Sequence, residues 1–437
     1  MSRLAVLRED ALAVARAAIS AVDAGTCVAQ ALPAFQRDIA GAAAWHVIAA
    51  GKAAGPMIRA CLAMSSTPPA RAMIVAPRRI DGLPPSVECF VGSHPTPGDG
   101  SVAAGRRALE IATEVDVTDV LLVLLSGGAS SLLELPADGV TLGDLRATTD
   151  RLLRAGAGID ALNAVRKHLS RVKGGLLADA VRGRTIALAI SDVVGDDPSV
   201  IGSGPTVADP TTYADALDVL VRFGGPASFP QAVVSALERG ARGDRVETPK
   251  PGSGRLSQAT TTIIGARIDA LEGARREADA RGYTVQVHDA PVIGDARKAA
   301  AAYAERLPRV ARKSGRPRCV LSGGETTVVV TGHGRGGRNQ EFALALAVPL
   351  ARRGGLAVVA SVGTDGIDGP TDSAGALVDS TTASRAAAAG LRSPQAYLDG
   401  NDAHTFFQAL GDLIVTGPTN TNVGDVQVAL LDSGEPT

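Results

Sequence analysis

The sequence contains no apolar run approaching the roughly 20 residues that a membrane-spanning helix needs. Its opening stretch, MSRLAVLREDALAVARAAISAVDAG, carries Glu9, Asp10 and Asp23 in an Ala-rich helical pattern, which argues against a signal peptide or a membrane anchor. An excess of one charge is also missing, since 44 basic and 45 acidic residues leave a net charge of -1. That balance gives no reason to expect nucleic acid or an anionic membrane surface as partner, and points to small molecules instead. Cysteine is scarce: Cys27, Cys61, Cys89 and Cys319 are scattered and match no metal-ligand spacing. They read as reduced core residues of a cytoplasmic protein. Lysine is scarce too, with only six among the 44 basic residues, Lys52, Lys167, Lys173, Lys250, Lys298 and Lys313. A lysine inside a glycine-rich turn therefore stands out.

What is present is 437 residues, 45% of them apolar, enough for a large core and for two domains. Short β-branched runs alternate with Ala/Leu-rich segments of helical period. Expected strands are residues 45–50, 72–76, 119–125, 185–191, 261–266, 284–290, 319–322, 326–332, 356–363, 413–417 and 426–431. Such runs, bounded by Gly, Asp and Pro and separated by helices, predict an α/β fold of βαβ units with sheets covered on both faces. The best helix signal covers Asp160 to Val181, where Leu162, Val165, Leu169, Val172 and Leu176 form one stripe, and Asn163, Arg166, Lys167, Ser170 and Lys173 fall on another face. A polar, Gly/Pro-rich stretch between Arg239 and Thr260 marks the domain boundary, giving domains of 1–245 and 246–437.

Chemistry is expected in the turns, because strand-to-helix turns of a parallel sheet gather where open α/β folds bind ligands. Five unusual turns are of that kind, AAGKAAGPM (49–57), LLSGGASS (124–131), ISDVVGDDPSVIGSGPT (190–206), LSGGETT (321–327) and SVGTDGIDGPTDSAG (361–375), and to them are added GHGRGGRNQE (332–341), which joins a β-like run to a helix-like one, and VTGPTNTNVGD (415–425). Glycines permit close backbone approach, and N–H groups at a helix N-terminus favour an anion. Lys52 either snorkels from a helix end or projects as a compact cation toward phosphate or carboxylate. No Walker A spacing accompanies it, so this is not a P-loop enzyme. Gly332, Gly334 and Gly337 match the dinucleotide fingerprint weakly, without its acidic residue about 20 positions on. Arg335 and Arg338 suit bidentate contact with carboxylate or phosphate, or an interdomain ion pair. Asp192, Asp196 and Asp197 follow one strand, and Asp365, Asp368 and Asp372 another. They suit Mg²⁺, which takes one or two carboxylates with waters and phosphate oxygens, or alternatively Asx-turns and caps. His94 in GSHPTPGDG reads as a loop residue fixed by its prolines, with substrate contact as the alternative.

Six stretches in consistent order, LSGGASSLLELP, LNAVRKHLSRVKGGLLA, SDVVGDDPSVIGSGPTVADPTT, GGRNQEFALALA, GTDGIDGPTDSAGA and TGPTNTNVGD, together resemble the glycerate 2-kinase family. The resemblance runs from about Gly51 to Leu430. It implies a Rossmann-like N-terminal domain, a C-terminal domain of the kind called MOFRL, and a cytoplasmic enzyme. That enzyme would use ATP and Mg²⁺ to phosphorylate the C2 hydroxyl of D-glycerate. The family's essential lysine matches Lys52 and its essential arginine Arg338. The chain departs from the family at Ala161, where relatives tend to carry Glu, and in GARIDA (265–270), which lacks an expected Asn. On this reading Ser126, Gly127, Gly128, Ala129, Ser130, Gly202, Ser203 and Gly204 cradle the nucleotide. Lys52, Arg338, Gly323, Gly324 and Glu325 meet the substrate. Asp192, Asp197 or Asp365 holds the metal, and Asp192 or Asp365 orients the attacking hydroxyl. Expected partners are D-glycerate and ATP, with neither nucleic acid nor membrane, and a homodimer is compatible. The alternatives are an NAD(P)H-dependent hydroxypyruvate reductase and a non-catalytic sensor of phosphorylated ligands.

Overall fold

Two strands, Trp45–Ala50 (β1), apolar but for His46, and Val120–Leu125 (β4), wholly apolar, lie side by side and are buried at every position. In the computed structural model, which describes residues 2–308 and 316–433, they form the centre of a six-stranded sheet. Its other strands are Arg71–Ala76 (β2), Val87–Val91 (β3), Arg184–Ile190 (β5) and Ala259–Gly265 (β6), in the order β3-β2-β1-β4-β5-β6. The β3-β2, β2-β1, β1-β4 and β4-β5 pairs are all parallel. A parallel strand covered by helices on both faces has no solvent side, so its sequence is apolar throughout rather than alternating. From β1 the order runs outward to β2 and β3 in one direction and to β4 and β5 in the other. The carboxyl ends of β1 and β4 therefore flank the switch point at which such sheets bind ligands.

Residues 24–264 form one compact unit around this sheet, and residues 1–23 with 265–437 form the other. The latter holds a seven-strand sheet of Thr284–Val287 (β7), Val292–Asp295 (β8), Arg318–Thr327 (β9), Leu356–Gly363 (β10), Gly375–Asp379 (β11), Leu413–Ile414 (β12) and Asp425–Asp432 (β13). Its order is β12-β11-β10-β13-β9-β7, with β8 also paired to β9. The helix Arg3–Ala21 packs on the helix Arg267–Ala280 and on β10 and β13. Phe342, Phe406, Phe407 and Tyr303 lie in this unit's main core. No single helix among the described residues is long and apolar enough to cross a membrane.

The α/β class is as expected, but several details differ. The second sheet is largely antiparallel, with only β7 and β8 running parallel to β9. The expected division after residue 245 falls inside the first unit, because β6 joins the parallel sheet. The expected helix of residues 160–181 ends at His168, as Ile159–His168, and resumes only as the short helix Leu176–Asp179. Between them Ser170 bridges to Pro136, and Gly174 and Gly175 take positive φ, so the chain turns on itself. The expected strands at 319–322 and 326–332 are one strand, β9, which stops at Thr327. Of the cysteines, Cys27, Cys61 and Cys319 are buried and Cys89 is exposed. Lys313 lies outside the described residues.

Candidate active site

In the first unit, the turns after β1 and β4 are locked together by their backbones. Ser126 N donates to Ala50 O (3.0 Å), Lys52 N to Gly127 O (2.9 Å), and Ala53 N to Ser126 Oγ (3.0 Å). The fit leaves no room at Gly51, where a Cβ would stand 2.1 Å from Ser126 Oγ. Gly128 has φ +82° and caps the short helix Ala129–Leu132. A Cβ at Gly128 would lie 2.9 Å from His94 Cδ2, 3.3 Å from His94 Nε2 and 3.6 Å from Lys52 Cγ. An exposed imidazole from the loop after β3, the lysine after β1 and the glycine turn after β4 thus converge at the sheet's switch point.

The turn at 202–206 joins the same group. Ser130 Oγ lies 2.7 Å from Ser203 Oγ, and Ser203 Oγ donates to Asn163 Oδ1 at 3.0 Å. The proton of Ser203 is thereby committed to Asn163, so Ser130 donates to Ser203. Asn163 sits on the helix Ile159–His168, whose next residues build a second layer. The ammonium of Lys173 bonds the carboxylate of Glu134, and Ser170 Oγ donates to Glu134 Oε1 at 2.7 Å. All three side chains are buried. Burial pulls Lys173 below the usual ammonium range and Arg166 below the usual guanidinium range, and the charge of Glu134 opposes both shifts. Asp192 is half-buried on the loop following β5, while Asp197 Oδ1 accepts from Ser199 N at 2.8 Å as a local cap.

In the second unit, Arg338 opens the helix Arg338–Arg352. Its Nε faces Asp425, 3.0 Å from Oδ1 and 2.8 Å from Oδ2, and its Nη1 donates to Glu325 Oε1 at 2.6 Å. Asn339 Nδ2 also donates to Asp425 Oδ1 (2.8 Å), and Ser361 Oγ donates to Asn339 Oδ1 (2.7 Å). Asp368 accepts from the Asn339 N (3.0 Å) and Gln340 N (2.8 Å) groups, so a carboxylate occupies the helix N-terminus. Burial pushes the Asp425 carboxyl up to about 6 against the pull of Arg338 and Asn339, and pushes Asp368 up as well. Arg338 is held above the usual guanidinium range by Asp425 and Glu325 in spite of its own desolvation. Asp365 is half-buried, and its Oδ1 accepts from Ile367 N at 3.1 Å.

Gly323 and Gly324 do not form a second cradling turn. They lie inside β9, paired with Val426 and Asp425, and β8 approaches Gly324 from the other side. The Gly332, Gly334 and Gly337 segment follows no strand directly, and Gly332 and Gly334 pack on Gly400 and Asp402. That context is not the strand-turn-helix of a dinucleotide site. No group of three or more His, Cys, Asp or Glu side chains is placed to hold a metal ion among the described residues. Asp425 escaped sequence reasoning, although it ends the TNTNVGD stretch. The glycine ahead of it turns the chain into β13, and that signal could have singled it out.

The parallel sheet with its glycine turns, and the second, largely antiparallel sheet, define a two-unit α/β protein. Residues 10–238 match the family described as a domain of unknown function, DUF4147, and residues 318–425 match the MOFRL family. A D-glycerate 2-kinase of Thermotoga maritima is 36% identical over 430 residues, covering 97% of this chain and 98% of that protein. A protein of Agrobacterium vitis named as a hydroxypyruvate reductase is 41% identical, covering 79% and 77%. The crystal structure of a glycerate kinase from Thermotoga maritima superposes with a TM-score of 0.87 at 35% identity, covering 98% of this chain and all of that one. The chain belongs to the glycerate 2-kinase family.

Proposed function

We propose that this protein transfers the γ-phosphoryl group of ATP to the C2 hydroxyl of D-glycerate, giving 2-phospho-D-glycerate and ADP. The observation that carries the reading is the convergence of Lys52, His94 and the Gly127-Gly128 turn at the sheet's switch point. Phosphoryl transfer asks the protein for positioning and charge neutralisation more than for covalent chemistry, and that cluster offers both. Ser126 N and Ala129 N are committed to Ala50 O and Ser126 O, so within residues 126–130 the N–H groups of the Gly127-Gly128 turn cradle phosphate, with Gly202, Ser203 and Gly204 behind them. Lys52 offsets charge on the transferred group. In the second unit Arg338 clamps the glycerate carboxylate, near Gly323, Gly324 and Glu325.

Mg²⁺ supplies neutralisation of the phosphate oxygens when bound. A hard cation that takes one or two carboxylates with waters and phosphate oxygens would be held by Asp192, Asp197 or Asp365, each on a loop that follows a strand of its sheet. In the reaction the C2 oxygen attacks the γ-phosphorus, the bond to the β,γ-bridging oxygen breaks, and the hydroxyl proton passes to Asp192 or Asp365. The place of action is the cytoplasm. The reductase reading is disfavoured by the context of Gly332, Gly334 and Gly337.

Purified protein should release ADP from ATP with Mg²⁺ and D-glycerate, and phosphorus NMR should identify 2-phosphoglycerate. A 3-phospho product would overturn the substrate orientation. NADPH consumption with hydroxypyruvate, and no ADP release, would overturn the kinase.

A further inference from the structure

Arg338 holds two carboxylates of opposite character. Asp425 has a side chain with 0% exposure, sits on a strand between two neighbours, and is also bonded by Asn339. Glu325 is on the same guanidinium by a single bond through Nη1, and its side chain is 44% exposed. The first partner cannot leave without stranding a buried charge, whereas the second can swing into water at little cost.

We propose that Glu325 is a placeholder: in the absence of substrate its carboxylate occupies the face of Arg338 that receives the carboxylate of a small 2-hydroxy acid, and it is displaced when that acid binds. The inference rests on Arg338 being the carboxylate clamp. Glu325 and a substrate carboxylate present the same acceptor geometry to the same N–H fork. Asp425 remains on Nε throughout and fixes the guanidinium plane, so the incoming acid meets an arginine already oriented. The exchange also sets selectivity. A ligand gains only the difference between its own bonds and those of Glu325, so simple anions that offer a carboxylate and nothing else gain almost nothing. A ligand whose hydroxyls find further partners gains more.

The test is calorimetric titration of the full chain with D-glycerate, using wild type, Glu325→Gln, Asp425→Asn and Arg338→Ala. Glutamine keeps the size and loses the charge, and Glu325 is exposed enough for the fold to be indifferent. Glu325→Gln should bind D-glycerate about two- to fivefold more tightly, the worth of one exposed ion pair. It should also take up acetate, which the wild type should not. Asp425→Asn should bind D-glycerate more weakly, since the clamp loses its anchor. An unchanged or weaker affinity in Glu325→Gln overturns the placeholder, because Glu325 would then be a bystander or a direct substrate contact. Failure of the clamp reading looks different: the wild type takes up no D-glycerate, or Arg338→Ala takes it up as well as wild type does.

Discussion

The imidazole of His94 fills the space into which a side chain at Gly128 would project, 2.9 Å from where a Cβ would stand. Gly128 also holds a left-handed φ of +82°, which costs a residue with a Cβ roughly 1–2 kcal/mol. Gly128→Ala should therefore destabilise the fold by about that amount and lower turnover more than stability, because the turn moves against Lys52. Adding His94→Ala should relieve the steric part and leave the backbone part. Urea denaturation and kcat of the single and double variants separate the two contributions.

Lys52 and Arg338 are the cations on which the kinase reading leans. Removing either charge from a site that stabilises a transferring phosphoryl group should lower kcat/KM by on the order of 10²–10³. The circular dichroism spectrum of Lys52→Ala should match that of the parent, whereas Arg338→Ala leaves the buried Asp425 without its guanidinium and should stay folded with a lower denaturation midpoint. Near-normal turnover in either variant would remove that residue from the mechanism.

The Lys173–Glu134 pair is structural in its energetics. Both side chains are buried, so removing one partner strands a charge away from water and should cost roughly 3–5 kcal/mol. Lys173→Met and Glu134→Leu should each lower the denaturation midpoint strongly. The double variant should recover much of the loss, since an apolar pair of similar volume replaces an ionic one. A double variant as unstable as the sum of the singles would count against this account.

Asp425 should give the fold a pH signature. Its carboxyl is pushed up to about 6 by burial, whereas the unfolded value lies near 4. A group that holds its proton more tightly when folded stabilises the fold in acid. Its contribution is complete below about pH 4 and is lost as pH rises through about 6. Asp425→Asn should flatten this part of the stability profile between pH 4 and 6. If the slope of the denaturation midpoint in that window is the same in both proteins, Asp425 does not titrate there.

The centre of the first sheet was legible because β1 and β4 are buried on both faces and, His46 apart, carry only apolar residues. The turns beyond them were legible for the same reason: glycine and serine directly after such a strand have few other uses. The helix over 160–181 was misread because Leu162, Val165, Leu169, Val172 and Leu176 keep helical spacing through a segment that is not helical. What breaks it is tertiary, namely the bridge from Ser170 to Pro136 and the burial of Lys173 on Glu134. The two Ser-Gly-Gly stretches make the same point more sharply. Ser126–Gly128 becomes a turn because β4 ends at Leu125, at the carboxyl end of the parallel sheet. Ser322–Gly324 stays extended because β13 and β8 pair with it from about 100 residues downstream and 30 upstream. No local pattern carries that difference. Strands β3 and β8 escaped because their sequences, VECFV and VIGD, are only partly buried and form no unbroken apolar run; β11 escaped as well.

The helix Arg3–Ala21 belongs to the unit that the rest of the chain completes only after residue 264. Its partners, the helix Arg267–Ala280, β10 and β13, are synthesised long after it leaves the ribosome. Through the making of the entire parallel-sheet unit, the stripe of Leu7, Ala11, Val14 and Ala18, fully covered in the finished protein, has nothing of its own to lie against. A nascent chain halted near residue 264 would thus carry a folded sheet trailed by an unsatisfied amphipathic helix, a natural handle for chaperones.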